Sequence, residues 1–220
     1  MSSNPSSTPL ELNGWNLRFH APPPDVDHPE LILMLHGWTG DETSTWVLAR
    51  QIPDRYWLAA PRGIHPTPDR GYSWRPIQKA FMGSLAEFQP AAQRLLALVD
   101  QFAAHMGLAV PRFNVLGFSQ GAAAALALAL LYPERIHRAA ALSGYLPAGL
   151  PAAPQDLAKV SFFISHGIQD DVIPVISAQQ AVDTLKKWGA SVVYCEDHSA
   201  HRLGLGCAKS LGAFFSTPAI

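Results

Sequence analysis

The apolar positions of this chain fall into short unbroken runs separated by stretches of three-and-four spacing. Leu31–Leu35 is five apolar residues in a row, the pattern of a strand covered on both faces. Leu17–His20, Trp57–Ala60, Phe113–Leu116, Ala139–Leu142, Phe162–Ser165 and Val192–Cys195 predict further short strands. Ala21-Pro22-Pro23-Pro24-Asp25 predicts a turn between the first two strands. From Ser84 to Gly107 the period changes. Leu85, Phe88, Ala92, Leu95, Val99, Phe102 and Met106 recur at helical spacing, which predicts a long amphipathic helix ended by Gly107. Gln120–Tyr132, Val175–Trp188 and Leu203–Phe215 predict further helices. Strand and helix alternate, so the expected class is α/β, a mostly parallel, doubly wound sheet with helices on both faces. In such sheets ligands gather at the carboxyl ends of the strands.

Composition narrows this picture. The 220 residues suit a single domain over 1–220, with 1–14 expected to be a flexible N-terminal segment. Hydrophobic residues make up 48% and charged residues 15%, which predicts a packed interior. The net charge is −1 and no basic run occurs, which argues against nucleic acid and anionic membrane surfaces as partners. Met1 to Pro9 lacks the cationic start and apolar core of a signal peptide, and no apolar run is long enough to span a bilayer. Cys195 and Cys207 are expected to be free thiols in a reducing compartment. A cytoplasmic protein without membrane insertion is therefore expected. The short, proline-rich stretch from Tyr145 to Val160 leaves no room for a helical lid.

The chemistry concentrates just after the strands. Gly117-Phe118-Ser119-Gln120-Gly121 has the form G-x-S-x-G between a predicted strand and a predicted helix. That context holds a serine on a strained turn and aims its hydroxyl outward. The helix N-terminus behind it offers free N–H groups to a developing oxyanion. A serine hydroxyl needs a base, and the base needs a carboxylate to orient it. Asp170 and Asp171 follow the Phe162–Ser165 strand, and His198 and His201 follow the last strand. The chain order Ser, Asp, His is the one this architecture requires. The amides of Gln120 and of Trp38, in His36-Gly37-Trp38-Thr39-Gly40, are the expected oxyanion donors. A metal reading of His198, His201 and Cys207 lacks a recognisable ligand spacing.

Together these residues resemble the phospholipase/carboxylesterase family of α/β-hydrolases, which includes acyl-protein thioesterases and small bacterial carboxylesterases. The resemblance rests on His36-Gly37, Ala60-Pro61-Arg62-Gly63, Gly71-Tyr72-Ser73-Trp74 and Gly117 to Gly121. It continues with His166-Gly167-x-x-Asp170-x-x-Ile173-Pro174 and a late histidine. It implies an α/β-hydrolase fold without a large lid, and it picks Asp170 over Asp171. The register of Leu203, Leu211 and Phe214 picks His201, with Ala200 where the family usually has glycine and His198 as the alternative. It also implies a cofactor-free and metal-free serine hydrolase acting on small-molecule acyl esters, with thioesters and lysophospholipids as further substrates. A homodimer is compatible with it. Trp38, Tyr72 and Trp74 are candidates for the wall of the substrate site. The competing readings are a non-catalytic ligand-binding protein on the same fold, and a lactone or peptide hydrolase.

Overall fold

The computed structural model describes residues 5–78, 82–151 and 157–217. Its strands are β1 (Thr8–Leu12), β2 (Trp15–His20), β3 (Leu31–Leu35), β4 (Trp57–Pro61), β5 (His65–Pro66), β6 (Tyr72–Ser73), β7 (Phe113–Phe118), β8 (Ile136–Leu142), β9 (Ser161–Gly167) and β10 (Ser191–Asp197). The helices are α1 (Trp46–Ala49), α2 (Leu85–Met106), α3 (Gln120–Leu131), α4 (Ile176–Lys187) and α5 (Leu205–Ser216). Eight strands form one sheet in the order β1-β2-β4-β3-β7-β8-β9-β10, and β5 pairs with β6 apart from it. From β4 to β10 the pairing is parallel, whereas β1 and β2 are antiparallel additions at one edge.

The unbroken apolar run of β3 has the predicted cause. Leu31, Leu33 and Leu35 belong to one buried cluster and Ile32 and Met34 to the other, so successive side chains enter the two layers on either side of the sheet. The larger cluster contains α2, α3 and residues of α4, and the smaller contains α1 and α5. Helix α3 is alanine-rich because its near neighbours are backbone: β7 and β8 on one side and α2 on the other. Gln120 to Leu130 are all buried. The ends of α2 follow from local chemistry. Ser84 and Glu87 form a capping box, and Gly107 ends the helix at φ 69°.

One expectation needs correction. The segment 1–14 is not a flexible lead over its described part: β1 pairs with β2 from Thr8↔Phe19 to Leu12↔Trp15. Asn13 and Gly14 join them at φ 48° and 83°, the left-handed pair a tight hairpin turn needs. Of the proline-rich stretch 145–160, residues 152–156 lie outside the described residues. Strands β9 and β10 also run further than their apolar cores. Their ladder continues through Cys195↔Ser165, Glu196↔His166 and Asp197↔Gly167, because backbone pairing is indifferent to side-chain polarity. That extension carries the chain to the site.

No helix among the described residues is long and apolar enough to cross a membrane.

Candidate active site

Ser119 sits between β7 and α3 at φ 55° and ψ −118°, a conformation that costs a non-glycine residue about 1–3 kcal/mol. The turn is fixed from both sides. A Cβ on Gly117 would lie 2.0 Å from the Gly121 carbonyl oxygen, and a Cβ on Gly121 would lie 2.2 Å from that of Leu35. The two glycines of the G-x-S-x-G pattern therefore answer to close backbone approach. The Ser119 N–H donates to Leu142 O at 2.9 Å, which ties the turn to β8.

The Ser119 hydroxyl donates to His201 Nε2 at 2.9 Å, and His201 Nδ1 donates to Asp170 Oδ2 at 2.7 Å. A carboxylate only accepts, so the ring proton lies on Nδ1 and the Nε2 lone pair faces the serine. Asp170 is itself held: its Oδ1 accepts the Val172 and Ile173 N–H groups, each at 2.9 Å. Burial pushes the Asp170 carboxyl up, but the hydrogen bonds from Ile173, His201 and Val172 outweigh it and leave its pKa below the ordinary value. His166 adds a support that the sequence motif contained but did not explain. Its buried Nε2 lies 3.2 Å from Asp170 Oδ2 and donates to Ile173 O at 2.8 Å.

The loops carrying Asp170 and His201 are laced together. Ile168 N–H donates to Asp197 O at 2.8 Å and Gln169 N–H to Ser199 O at 3.1 Å. A Cβ on Gly167 would lie 2.1 Å from Ser199 O, so the loops touch through backbone. His198 and Asp171 are exposed and form no hydrogen bond with Ser119 or His201. The cysteines differ from expectation. Cys195 in β10 and Cys207 in α5 form a disulfide across a separation of 12 residues, and the loop it closes contains His201. The strand and helix that hold them pack against each other, a proximity the spacing alone did not reveal. The free-thiol argument for a reducing compartment therefore lapses, and the Cys207 sulfur is not available as a metal ligand.

On the other side of Ser119, Gly37 to Gly40 fold into a tight turn closed by Gly40 N–H to Gly37 O at 3.0 Å. A Cβ on Gly37 would lie 3.2 Å from Ser119 Cβ. Neither the Trp38 nor the Gln120 amide is taken by an acceptor in a turn or loop among the described residues. His36 anchors this turn from below. Its Nε2 accepts the Gly63 N–H at 2.8 Å and its Nδ1 donates to Gly37 O at 2.7 Å. Burial lowers its pKa, so the ring is neutral.

Of the three expected wall residues, Trp38 is 39% exposed at the site. Trp74 is 0% exposed, so it walls no substrate space. Its Nε1 donates to His36 O at 2.7 Å and its backbone N–H to Gln120 Oε1 at 2.9 Å, bracing the turn and the start of α3. Tyr72 is turned toward Arg62, whose guanidinium lies 4.9 Å from its ring centre, and its N–H donates to Gly40 O.

Between the Gly37–Gly40 turn and the residues that flank Ser119 and His201 in sequence lies a cavity of about 500 Å³ whose apolar lining includes Trp38, Val47, Leu48, Phe118, Leu203 and Leu205. The Phe118 ring lies 5.0 Å from that of His201. Apart from Trp38 these residues escaped sequence reasoning. Phe118 directly precedes the serine and so carried a signal, but α1 is only four residues long and left no periodicity to read.

Comparison with known proteins bears on this geometry. The profile of the phospholipase/carboxylesterase family matches residues 20–208. The chain belongs to this family. A probable carboxylesterase of Oryza sativa subsp. japonica is 33% identical over 122 residues, 54% of this chain and 44% of the relative. Carboxylesterase SOBER1 of Arabidopsis thaliana is 32% identical over 117 residues, 52% of this chain and 50% of the relative. The matches thus span half or less of these relatives' length. Among solved structures, the carboxylesterase of Mesorhizobium loti superposes with a TM-score of 0.83 at 26% identity, covering 98% of this chain and 100% of that one. The Bacillus cereus carboxylesterase shares the fold, with a TM-score of 0.80 at 19% identity over 93% of this chain and 94% of that one. In this phospholipase/carboxylesterase member the family motifs coincide with the hydrogen-bonded set Ser119, His201 and Asp170.

Proposed function

We propose that the chain is a serine carboxylesterase that cleaves small acyl esters through an acyl-enzyme on Ser119. The observation that carries this reading is the unbroken relay from the Ser119 hydroxyl through His201 to Asp170. His201 Nε2 takes the serine proton as Oγ attacks the ester carbonyl carbon. Asp170 holds the ring in the correct tautomer and stabilises the imidazolium. The amides of Trp38 and Gln120 receive the oxyanion. The imidazolium then gives its proton to the departing alkoxide as the carbon–oxygen bond breaks. Water, deprotonated by the same nitrogen, attacks the acyl-enzyme and frees the acid and Ser119. Thioesters and lysophospholipids offer the same electrophilic carbonyl and are further candidate substrates.

The test is a chain-length series of p-nitrophenyl esters beside an acyl thioester, run on wild type and on Ser119→Ala, His201→Ala and His198→Ala. Fluorophosphonate labelling is followed in parallel. Ser119→Ala and His201→Ala should each lower turnover by about 10³-fold or more, with labelling lost in Ser119→Ala. His198→Ala should retain both. Turnover surviving in Ser119→Ala, or lost only in His198→Ala, overturns the assignment.

A further inference from the structure

The cavity lined by Trp38, Phe118 and Leu203 has a charge pattern of its own. Among the described residues its only charged lining groups are Arg50 and Arg202, at the end of α1 and directly after His201. Both are exposed, and neither guanidinium is hydrogen-bonded or ion-paired to a described residue. Three carboxylates of the adjoining loops have other partners. Asp41 accepts from Thr43 and Ser44, Glu42 is held by Arg62, and Asp197 accepts from Ser199. Other arginines of this chain do find partners: Arg62, Arg75 and Arg135 each pair with a carboxylate. Two cations on a cavity whose lining is otherwise uncharged and mostly apolar form a field that favours a negative charge on the occupant.

The cavity also has a direction. Phe118 lies against the His201 ring, and Arg202 and Leu203 immediately follow that histidine. His201 Nε2 is the atom that must protonate the departing oxygen. A group carried by that oxygen would extend past Phe118, Arg202 and Leu203 into this cavity. We infer that the cavity is the leaving-group subsite, and that it takes alcohols bearing a carboxylate or phosphate beyond a short apolar arm. The arm rests on Trp38, Leu48, Phe118 and Leu203, and the anion meets Arg50 and Arg202. This rests on the esterase reading above. It adds which side of the ester bears the charge, and it predicts discrimination against cationic alcohols.

The experiment compares acetate esters of p-nitrophenol, m-carboxy-p-nitrophenol and m-trimethylammoniophenol, each corrected for its alkaline hydrolysis rate. The p-nitrophenyl half-ester of glutaric acid places the carboxylate on the acyl side instead. Wild type should favour the carboxylated leaving group over the neutral one in kcat/KM by about tenfold, as two screened surface cations allow, and should disfavour the cationic one. Added potassium chloride should shrink the preference. Arg50→Gln/Arg202→Gln should erase it, and Arg50→Lys/Arg202→Lys should keep most of it. A ratio near unity in wild type, a ratio indifferent to the glutamine pair, or a preference that follows the glutarate overturns the inference. If wild type turns over none of these esters, the esterase reading fails instead. Calorimetric binding of free carboxynitrophenol then still tests the cavity: binding lost in the glutamine pair supports it, and no binding overturns it.

Discussion

Ser119 is held at φ 55° by its neighbours and not by its own preference. Replacing it separates chemistry from strain. Ser119→Ala and Ser119→Gly both remove the hydroxyl, but only glycine adopts this backbone without penalty. Relief of about 1–3 kcal/mol of strain exceeds glycine's extra unfolded-state entropy of roughly 0.5–1 kcal/mol. The glycine variant should therefore be more stable than the alanine variant by about 1 kcal/mol, read from urea midpoints. Equal midpoints would mean that the turn is not strained. Gly121 faces the opposite constraint. A methyl there has backbone carbonyls of both Leu35 and His36 within 2.4 Å, with no flexible side chain to give way. Gly121→Ala should cost more than about 2 kcal/mol, or fail to fold. At this scale the sequence was most readable, because glycines, a serine and a Gly-flanked turn are local signals. It misread Trp74, since an aromatic in a motif looks the same whether its indole faces substrate or braces a loop.

Helix α2 was legible end to end for a similar reason: its stop signals are side chains within one turn of its ends. Ser84→Ala removes the side-chain half of the capping box, leaving the backbone N–H of residue 84 on Glu87, and should lower stability by about 1 kcal/mol, with the urea midpoint as the readout. Two other features were harder to read. The β1–β2 hairpin carries an Asn-Gly turn, but its polar, proline-containing approach masked that signal. The Cys195–Cys207 bond depends on α5 folding back onto β10, which no spacing rule encodes. Because the closed loop carries His201, the bond acts on both stability and geometry. Cys195→Ser/Cys207→Ser should lose about 3 kcal/mol by the loop-entropy estimate. Its ester turnover should also fall, since the imidazole then rides on a looser loop. Reducing agent should reproduce both effects in wild type and change neither in the double variant.

Across the whole molecule, the fold class followed from the alternation of elements, whereas the cavity did not, because α1 and α5 are brought beside Phe118 only when the layer behind the sheet is complete. The same scale governs the response to acid. Asp170, Asp41, Glu42, Glu87 and Glu196 all have pKa values lowered in the fold, and so do His36, His65 and His137. Each of these groups binds protons more readily in the unfolded chain, so every one makes stability rise with pH and fall as pH drops. They act in two windows. The histidines begin to protonate in the unfolded chain near their ordinary value of 6.5, while in the fold burial resists it. The carboxylates join only around and below their ordinary values of 3.8 and 4.5. Among the histidines, His36 is buried, is hydrogen-bonded at both ring nitrogens and anchors the Gly37–Gly40 turn, whereas His65 and His137 are partly exposed and screened. The urea midpoint should therefore decline between about pH 7 and pH 5, before the carboxylates titrate. His36→Gln, which keeps an acceptor for Gly63 but does not titrate, should start from a lower midpoint and decline less over that range. A wild-type midpoint that stays level down to about pH 5 would mean that His36 protonates as readily in the fold as out of it. It could not then be the neutral, doubly bonded strut on which the Gly37–Gly40 turn rests.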